Sequence, residues 1–594
     1  MEKEIDDLKQ KLARTDTYDI LEDIFLKLIT YGNDEYEVAY NCNLRNKTRL
    51  MSPRKQWKYL IALLLSTKQI KSKHDFLLED LEEDINNITD NYYKEFVKDI
   101  IYLDESSVKT IDREKNEKNL IAMEAFNSYF DVDSLRYPTQ TVIIIKKIFQ
   151  PFNDYVKEKS GLSIDDMLEF NTFMVDELKK SYEEKTPIEK RIDGLRREVL
   201  RTKGDTINEM YHNIMIKTIR NTQKIQNLVE SLKDEYRQKG LINHKIIYIR
   251  YGHDKGKKLL DLFSTKRENN SFRYYSDLNI IDYKPLVYIT RNELFMLPDD
   301  FLINAVYNYL ESIFNEKDMP QYDRFVDSKG KIMEDLFLCI FKEIFGNDAV
   351  YHQSVCEKKG TEEHDIVIEY KNYILIAEVK SSKVREPFRN PEKGYIRVRD
   401  DFYRSNGIGY AYSKQAIKLK KYIENTNEIV LYENKISKFI LKNANKKKIF
   451  PIILTLHQYG SIAINTSLLI KPEDGQPYPW VCNWHDFEDI VKIMKYKKLS
   501  KDDFMEYLCF RIDEHEKIVC NDEIDIFESF VFDKKILYNG VKQDLLIVDA
   551  APNNLIDKIY FEELGIPMYV SENLVIDKYD FEKDKKYIEK IIKK

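Results

Sequence analysis

Two short apolar runs with charged side chains embedded in them constrain the fold of this chain more than any other feature. The runs Ile366–Ile368 and Ile374–Val379 are separated by the polar pair Lys371–Asn372, a pattern typical of two buried strands joined by a turn. Glu378 and Lys380 should then project from the same face of the second strand, because side chains alternate along a strand. A carboxylate and an ammonium are costly to bury without partners, so the pattern predicts a partner for this pair.

Asp365, at the start of the first predicted strand, supplies that partner. Two carboxylates can hold Mg²⁺, and a lysine beside them can position a water or steady a phosphate. Asp365 and Glu378 are therefore candidate metal ligands, with Lys380 as a candidate catalytic side chain.

This arrangement resembles the signature of the PD-(D/E)xK nuclease superfamily, which has the restriction-endonuclease-like fold. In that family an acid on one strand is followed, on the next strand, by an acid, any residue and a lysine. Asp365, Glu378 and Lys380 match these three positions, and His364 stands where the family usually has proline. The resemblance covers about residues 322–460 and implies phosphodiester hydrolysis.

Two further positions extend the resemblance. The family tends to carry an acid on a preceding helix, and Glu334 opens an apolar helical pattern that runs to Ile344. In one exonuclease-type branch a glutamine on the helix after the core strands points at the site, and Gln415 lies in such a stretch. The resemblance thus implies Glu334 as a third metal ligand, Gln415 as a catalytic-site contact, and Mg²⁺ as the cofactor, with Mn²⁺ expected to substitute.

The fold expected from this resemblance is an α/β restriction-endonuclease-like core, a mixed central sheet flanked by helices, after a large and mostly α-helical N-terminal region. The 594 residues allow about three or four domains. We predict an α-helical domain at 1–240 for sensing, assembly or nucleic-acid binding, and a small α/β connecting segment at 241–321. The nuclease domain should span 322–470, with a C-terminal α/β segment at 471–594 packing on it.

Local patterns predict several elements outside the hairpin. Strands are expected at His244–Arg250, Pro285–Thr290, Ile449–Leu456 and Leu545–Val548, and a helix at Asp299–Phe314.

Two long helices are predicted between Ile188 and Tyr236, the first of them opened by the capping sequence Thr186-Pro-Ile-Glu189. They could form an antiparallel hairpin or a dimer seam, although ordinary packing inside one helical domain is favoured. A further helix is expected to start near Asp486.

The charge distribution limits where a nucleic acid could bind. The formal net charge of −7 excludes a general polyanion binder, so any such contact needs a local basic surface. Residues 381–424 offer one, with eleven basic against five acidic residues, a net of +6. Taken alone, this segment would be a solvated surface, but its position directly after Lys380 favours phosphate contacts. The candidate contacts are Lys383, Arg385, Arg397, Arg399, Arg404, Lys414 and Lys418.

Other site classes have little support. The six cysteines are scattered without a C-x-x-C pair, which argues against a zinc site or a disulfide framework and suits a reducing cytoplasm. No run approaches a membrane span, and no phosphate-binding P-loop motif occurs. The acidic stretch from Asp513 to Asp525 matches no calcium loop and is expected to be a solvated surface. His457 is a candidate because it lies inside the predicted nuclease region, although a lone histidine is more often structural.

The resemblance and these features favour a cytoplasmic, metal-dependent nuclease, with DNA as the favoured substrate, RNA left open, and no membrane partner. The layout, a helical half before a nuclease half, suggests a bacterial defence or restriction effector by analogy. The N-terminal helices could contact a partner protein or a second copy. One alternative is a protein that has the nuclease fold but no catalytic activity and acts as a nucleic-acid-binding or interaction scaffold. Another takes 1–240 as an interaction scaffold and the nuclease match as chance.

Overall fold

The computed structural model describes residues 2–30, 52–70, 76, 78–97, 113–131, 137–180, 239–268, 271–298, 300–315, 319–358, 361–381, 391–425, 427–433, 437–543, 545–548 and 555–563. The chain divides into two compact units, which are described separately. The first unit comprises 1–89, 153–311 and 569–594, and the second comprises 90–152 and 312–568. The division into four segments proposed from the sequence is not tested by this division into two units, and it stays a prediction.

The helices and strands follow one another along the whole chain. The helices are α1 (Glu2–Ala13), α2 (Thr17–Thr30), α3 (Pro53–Leu65), α4 (Leu78–Val97), α5 (Arg113–Asp131), α6 (Pro138–Phe149), α7 (Asn153–Ser160), α8 (Ile164–Lys180), α9 (Lys245–Tyr251), α10 (His253–Phe263), α11 (Phe301–Phe314), α12 (Tyr322–Phe345), α13 (Pro391–Tyr403), α14 (Ile408–Tyr410), α15 (Ile417–Glu424), α16 (Ser461–Ile464), α17 (Trp484–Lys497), α18 (Lys501–Asp513), α19 (Glu523–Gly540) and α20 (Leu555–Glu563). The strands are β1 (Leu241–Asn243), β2 (Ser264–Thr265), β3 (Leu286–Tyr288), β4 (Glu293–Met296), β5 (Ala349–Cys356), β6 (His364–Tyr370), β7 (Tyr373–Lys380), β8 (Glu428–Glu433), β9 (Ser437–Lys442), β10 (Lys448–Thr455), β11 (Trp480–Asn483), β12 (Ile518–Val519) and β13 (Leu546–Ile547). No described helix is both long and apolar enough to cross a lipid bilayer.

The expected N-terminal helical region is confirmed in the parts that the structure describes, from α1 to α8. Its helices are shared between the units, since α5 and α6 belong to the second. The two long helices predicted between Ile188 and Tyr236 lie outside the described residues.

The first unit holds a small sheet in the order β1-β4-β3-β2. The strand predicted at Pro285–Thr290 and the helix at Asp299–Phe314 are confirmed as β3 and α11. The strand predicted at His244–Arg250 is wrong, because Lys245–Tyr251 forms α9. In this run Ile247 is buried but Ile249 is 82 % exposed. A short apolar run does not by itself separate a strand from a helical turn.

The second unit is built on a mixed sheet of seven strands in the order β11-β10-β7-β6-β5-β8-β9. Strands β7, β10 and β11 run parallel, and β5, β6 and β7 are antiparallel neighbours. The predicted strands of the hairpin and at Ile449–Leu456 are therefore confirmed. The strand predicted at Leu545–Val548 is also present, as the short β13.

Helices cover both faces of this sheet, so the expected mixed α/β class is confirmed. On one face, Phe345 of α12 packs against Tyr370 of β6, with ring centroids 4.7 Å apart, and Phe341 packs against Phe487 of α17 at 5.0 Å. On the other face, Val367, Ile374 and Ile376 belong to a buried cluster formed with α13, α14 and α15. The helical members of that cluster include Phe402, Ile408, Tyr412, Ile417 and Leu419.

The C-terminal part contains a buried ion pair that corrects one expectation. Glu523, in the acidic stretch predicted to be solvated, is 1 % exposed. Its carboxylate accepts hydrogen bonds from Arg511 at 2.8 and 2.9 Å and from the Trp480 indole at 2.7 Å. The acidic stretch is therefore not uniformly exposed, contrary to the expectation from its charge pattern.

Candidate active site

The register of the central hairpin brings the two predicted strand acids side by side. Ile366 of β6 pairs with Ala377 of β7. The next residues outward are Asp365 and Glu378, at the end of the hairpin away from its turn. On the other side of β7, Lys380 pairs with Thr455 of the parallel strand β10. The candidate site therefore lies where three neighbouring strands end.

Asp365 and Lys380 form a charge pair in a sparsely exposed position. The backbone N–H of Val379 donates a 2.6 Å hydrogen bond to Asp365 Oδ2. The Lys380 ammonium lies 4.0 Å from the same oxygen, and Lys380 is 8 % exposed. The predicted acid and lysine therefore do meet, and the backbone of the acid-x-lysine segment holds the aspartate.

Glu378 continues the face of β7 that carries Ile374 and Ile376, since side chains alternate along the strand. It is fully buried. Its Oε1 lies 2.8 Å from Nδ1 of His364, which is also fully buried. Its Oε2 is buried and has no hydrogen-bond partner among the described residues.

Burial and charge shift the acidity of both strand acids. Burial raises the pKa of Glu378 to about 7, the Asp365 carboxylate adds to this rise, and His364 and Lys380 oppose it. Burial also raises the pKa of Asp365, against the attraction of Lys380 and the Val379 N–H. The Asp365 carboxylate thus disfavours ionisation of Glu378. Acids with such perturbed pKa values are typical of functional sites.

His364 stands between two carboxylates. Its Nε2 lies 3.5 Å from Glu357 Oε1, a contact that is long for a hydrogen bond but close enough for charge attraction. Burial disfavours the imidazolium, yet Glu357 and Glu378 outweigh this and raise the pKa of His364 to about 9. In turn, His364 holds the pKa of Glu357 down at about 2. These two residues were missed by the sequence analysis, in which His364 counted merely as a departure from proline.

Glu334 of α12 lies near the strand acids. Its pKa is raised by burial and by the Asp365 carboxylate, while Lys331, 3.0 Å away, opposes the rise. The structure thus places the helix acid within electrostatic reach of Asp365.

Gln415 lies in a π-helical turn, Ala411–Ala416, between α14 and α15. This turn packs against β7 and β10, the strands that carry Lys380 and Thr455. Gln415 is 8 % exposed, and its Oε1 is buried without a hydrogen-bond partner in the described part of the chain. Single π-helical turns inside α-helices occur frequently at functional sites.

Some of the side chains predicted to form the basic surface are paired with acidic side chains. Arg399 pairs with Asp400 at 2.9 Å, and Arg404 pairs with Asp401 at 3.3 Å. Lys414 and Lys418 are exposed on either side of Gln415. Lys418 also lowers the pKa of Glu357, which places it near the site. Arg397 is half-buried, and Lys383 and Arg385 lie outside the described residues.

His457, the other histidine considered, follows β10 and is largely buried. Its backbone carbonyl accepts a 2.8 Å hydrogen bond from the Thr455 hydroxyl. The contact is made by the backbone of His457 and not by its imidazole.

The donor set can be compared with the needs of Mg²⁺. This ion keeps several waters and is bound through one or two carboxylates, and Asp365 and Glu378 supply two. A buried oxygen without a partner, such as Glu378 Oε2, costs about 1–3 kcal/mol, more if charged, unless a cation or a water satisfies it. Within the described ranges, no three His, Cys, Asp or Glu side chains form a group that could hold an ion. Asp365 and Glu378 alone still supply the two carboxylates that a partly hydrated Mg²⁺ needs, and Glu334 as a third ligand stays a prediction.

Comparisons with known proteins give no assignment. No family model, no curated protein and no solved structure matches this chain.

Proposed function

We propose that this protein is a Mg²⁺-dependent nuclease that hydrolyses phosphodiester bonds, with DNA as the favoured substrate. The observation that carries the proposal is the meeting of Asp365, Glu378 and Lys380 at the end of the β6–β7 hairpin. Support for the restriction-endonuclease-like fold comes from the order of the parts. Glu334 lies on α12, before strands β5 to β7, and Gln415 lies on the helical segment between β7 and β8.

In this proposal Asp365 and Glu378 would hold the cation. When bound, the ion would lower the pKa of a coordinated water and offset charge on the phosphate. The reaction adds a water oxygen to phosphorus, breaks the bond to one ester oxygen and delivers a proton to that oxygen. The chain itself contributes orientation and charge to this reaction.

Lys380 would neutralise the phosphate, because its ammonium is held near Asp365 in a position with little exposure. A fixed cation acts more strongly in such a position than in water, since solvent screens it less. The Val379 N–H fixes Asp365, so the acid does not need to reorganise during the reaction.

The proposal is tested by incubating the purified chain with circular, linear and single-stranded DNA and with RNA, in Mg²⁺, Mn²⁺ or EDTA. We expect cleavage with either metal, and loss of at least about 100-fold in Asp365→Asn and Lys380→Met, with folding retained. Lys371→Met is the matched control, since Lys371 lies in the turn of the same hairpin, paired with Asp502 on the surface.

Unchanged cleavage in either site variant would overturn the assignment. Binding of nucleic acid without cleavage under any metal condition would instead favour the scaffold alternative.

A further inference from the structure

A buried histidine bridges the candidate metal ligand and a second acid. His364 Nδ1 contacts Glu378 Oε1 at 2.8 Å, and its Nε2 faces Glu357 at 3.5 Å. Glu357 is itself 7 % exposed and accepts a 3.2 Å hydrogen bond from the Thr361 hydroxyl. Thr361, Glu357, His364 and Glu378 thus follow one another from a surface turn to the candidate site, and the His364–Glu357 step is a charge contact rather than a hydrogen bond.

The hydrogen bond from His364 distinguishes the two oxygens of Glu378. An ionised carboxylate can only accept, so Nδ1 must donate when Glu378 is charged. The bond uses Oε1 and leaves Oε2 buried and unpartnered among the described residues. A glutamate has several rotatable bonds, and this contact fixes the last of them. Burying Glu378 Oε2 without a hydrogen-bond partner is unfavourable unless a ligand binds to it.

We propose that His364 is a positioning residue for Glu378: it holds Oε1 so that Oε2 faces the site as a preformed ligand for a divalent cation, and Glu357 orients His364 in turn. This inference rests on the proposed function. Partners that orient a metal ligand typically contribute 10–100-fold in metal affinity.

The same sheet contains a second buried histidine that serves as a control. His352 of β5 is 8 % exposed and also lies between two acids, Glu369 at 3.7 Å and Glu433 at 3.9 Å. Both distances are too long for a hydrogen bond, and the ring instead stacks on Phe439 with centroids 3.6 Å apart. His352 is therefore a histidine of similar burial and charge environment without an orienting bond to the candidate site.

The test measures Mn²⁺ binding to the full chain by calorimetry and by electron paramagnetic resonance, without nucleic acid. Asparagine places its amide nitrogen near the position of histidine Nδ1, whereas glutamine places it near Nε2. We expect His364→Asn to keep the Mn²⁺ dissociation constant within about 3-fold, and His364→Gln to weaken binding 10–100-fold. The control His352→Asn should bind as the unaltered chain does. Thermal unfolding of the metal-free variants reports any general loss of folding.

Equal Mn²⁺ affinity in His364→Gln and the unaltered chain would overturn the inference while leaving the proposed nuclease intact. Equal weakening in the Asn and Gln variants would also overturn it, since a general packing role predicts that result. Failure of the unaltered chain to bind Mn²⁺ and to cleave any substrate would instead overturn the proposed function, and the inference with it.

Discussion

Neutralising the candidate metal ligand Glu378 should stabilise the metal-free protein. The pKa of this carboxyl rises from its ordinary 4.5 to about 7 in the folded chain. At 1.36 kcal/mol for each pH unit, this rise corresponds to about 3 kcal/mol. Between pH 4.5 and about 7 the folded state binds the proton more tightly than the unfolded state, so stability falls as the pH rises through this window.

Glutamine at this position stays neutral and avoids that loss. In EDTA at pH 8, Glu378→Gln should therefore raise the free energy of unfolding by up to about 3 kcal/mol. At about 2 °C per kcal/mol for a unit of this size, the thermal transition should move up by roughly 6 °C. Near pH 5 the difference should shrink to less than about 1 kcal/mol. The same variant should lose metal-dependent cleavage, because the ionised carboxylate that destabilises the folded protein is also the proposed metal ligand.

Glu357 provides a control of opposite sign. Its pKa is lowered to about 2, so its ionised form stabilises the folded chain above pH 4.5, and that stability is lost as the pH falls. Glu357→Gln should thus lower the transition temperature at pH 8. Differential scanning calorimetry of both variants across pH measures the effect. A Glu378→Gln protein no more stable than the unaltered chain at pH 8, or two variants that shift in the same direction, would refute the reasoning.

Three further outcomes are expected. Glu523→Gln leaves the fully buried Arg511 guanidinium without its counter-charge and should lower the free energy of unfolding by about 3–5 kcal/mol, and a thermal shift close to zero would contradict this. Lys414→Gln and Lys418→Gln should each reduce the slope of log Kd against log salt by about 1 for labelled DNA in EDTA, whereas an unchanged slope would exclude them as phosphate contacts. Gln415→Met removes a buried unpartnered oxygen and should raise stability by about 1 kcal/mol while lowering kcat about 10-fold or more. Unaltered kcat would place Gln415 outside the reaction.

The local pattern was sufficient to locate the hairpin and its acids. Alternation of apolar and charged residues fixes which side chains share a face of a strand, and this information is local. The same local information failed at Lys245–Tyr251, where a short apolar run folds as a helix. It also failed for Glu523, whose burial depends on Arg511, twelve residues away on another helix.

Periodicity and a tight turn were enough to predict the strands β6 and β7, the mixed α/β class and the neighbouring positions of Asp365 and Glu378. The complete burial of Glu378, and the position of His364 between it and Glu357, became visible only in the folded chain. The physical reason is that burial and long-range hydrogen bonds depend on which elements pack over a strand. Periodicity specifies the face of a side chain but not the neighbour it meets.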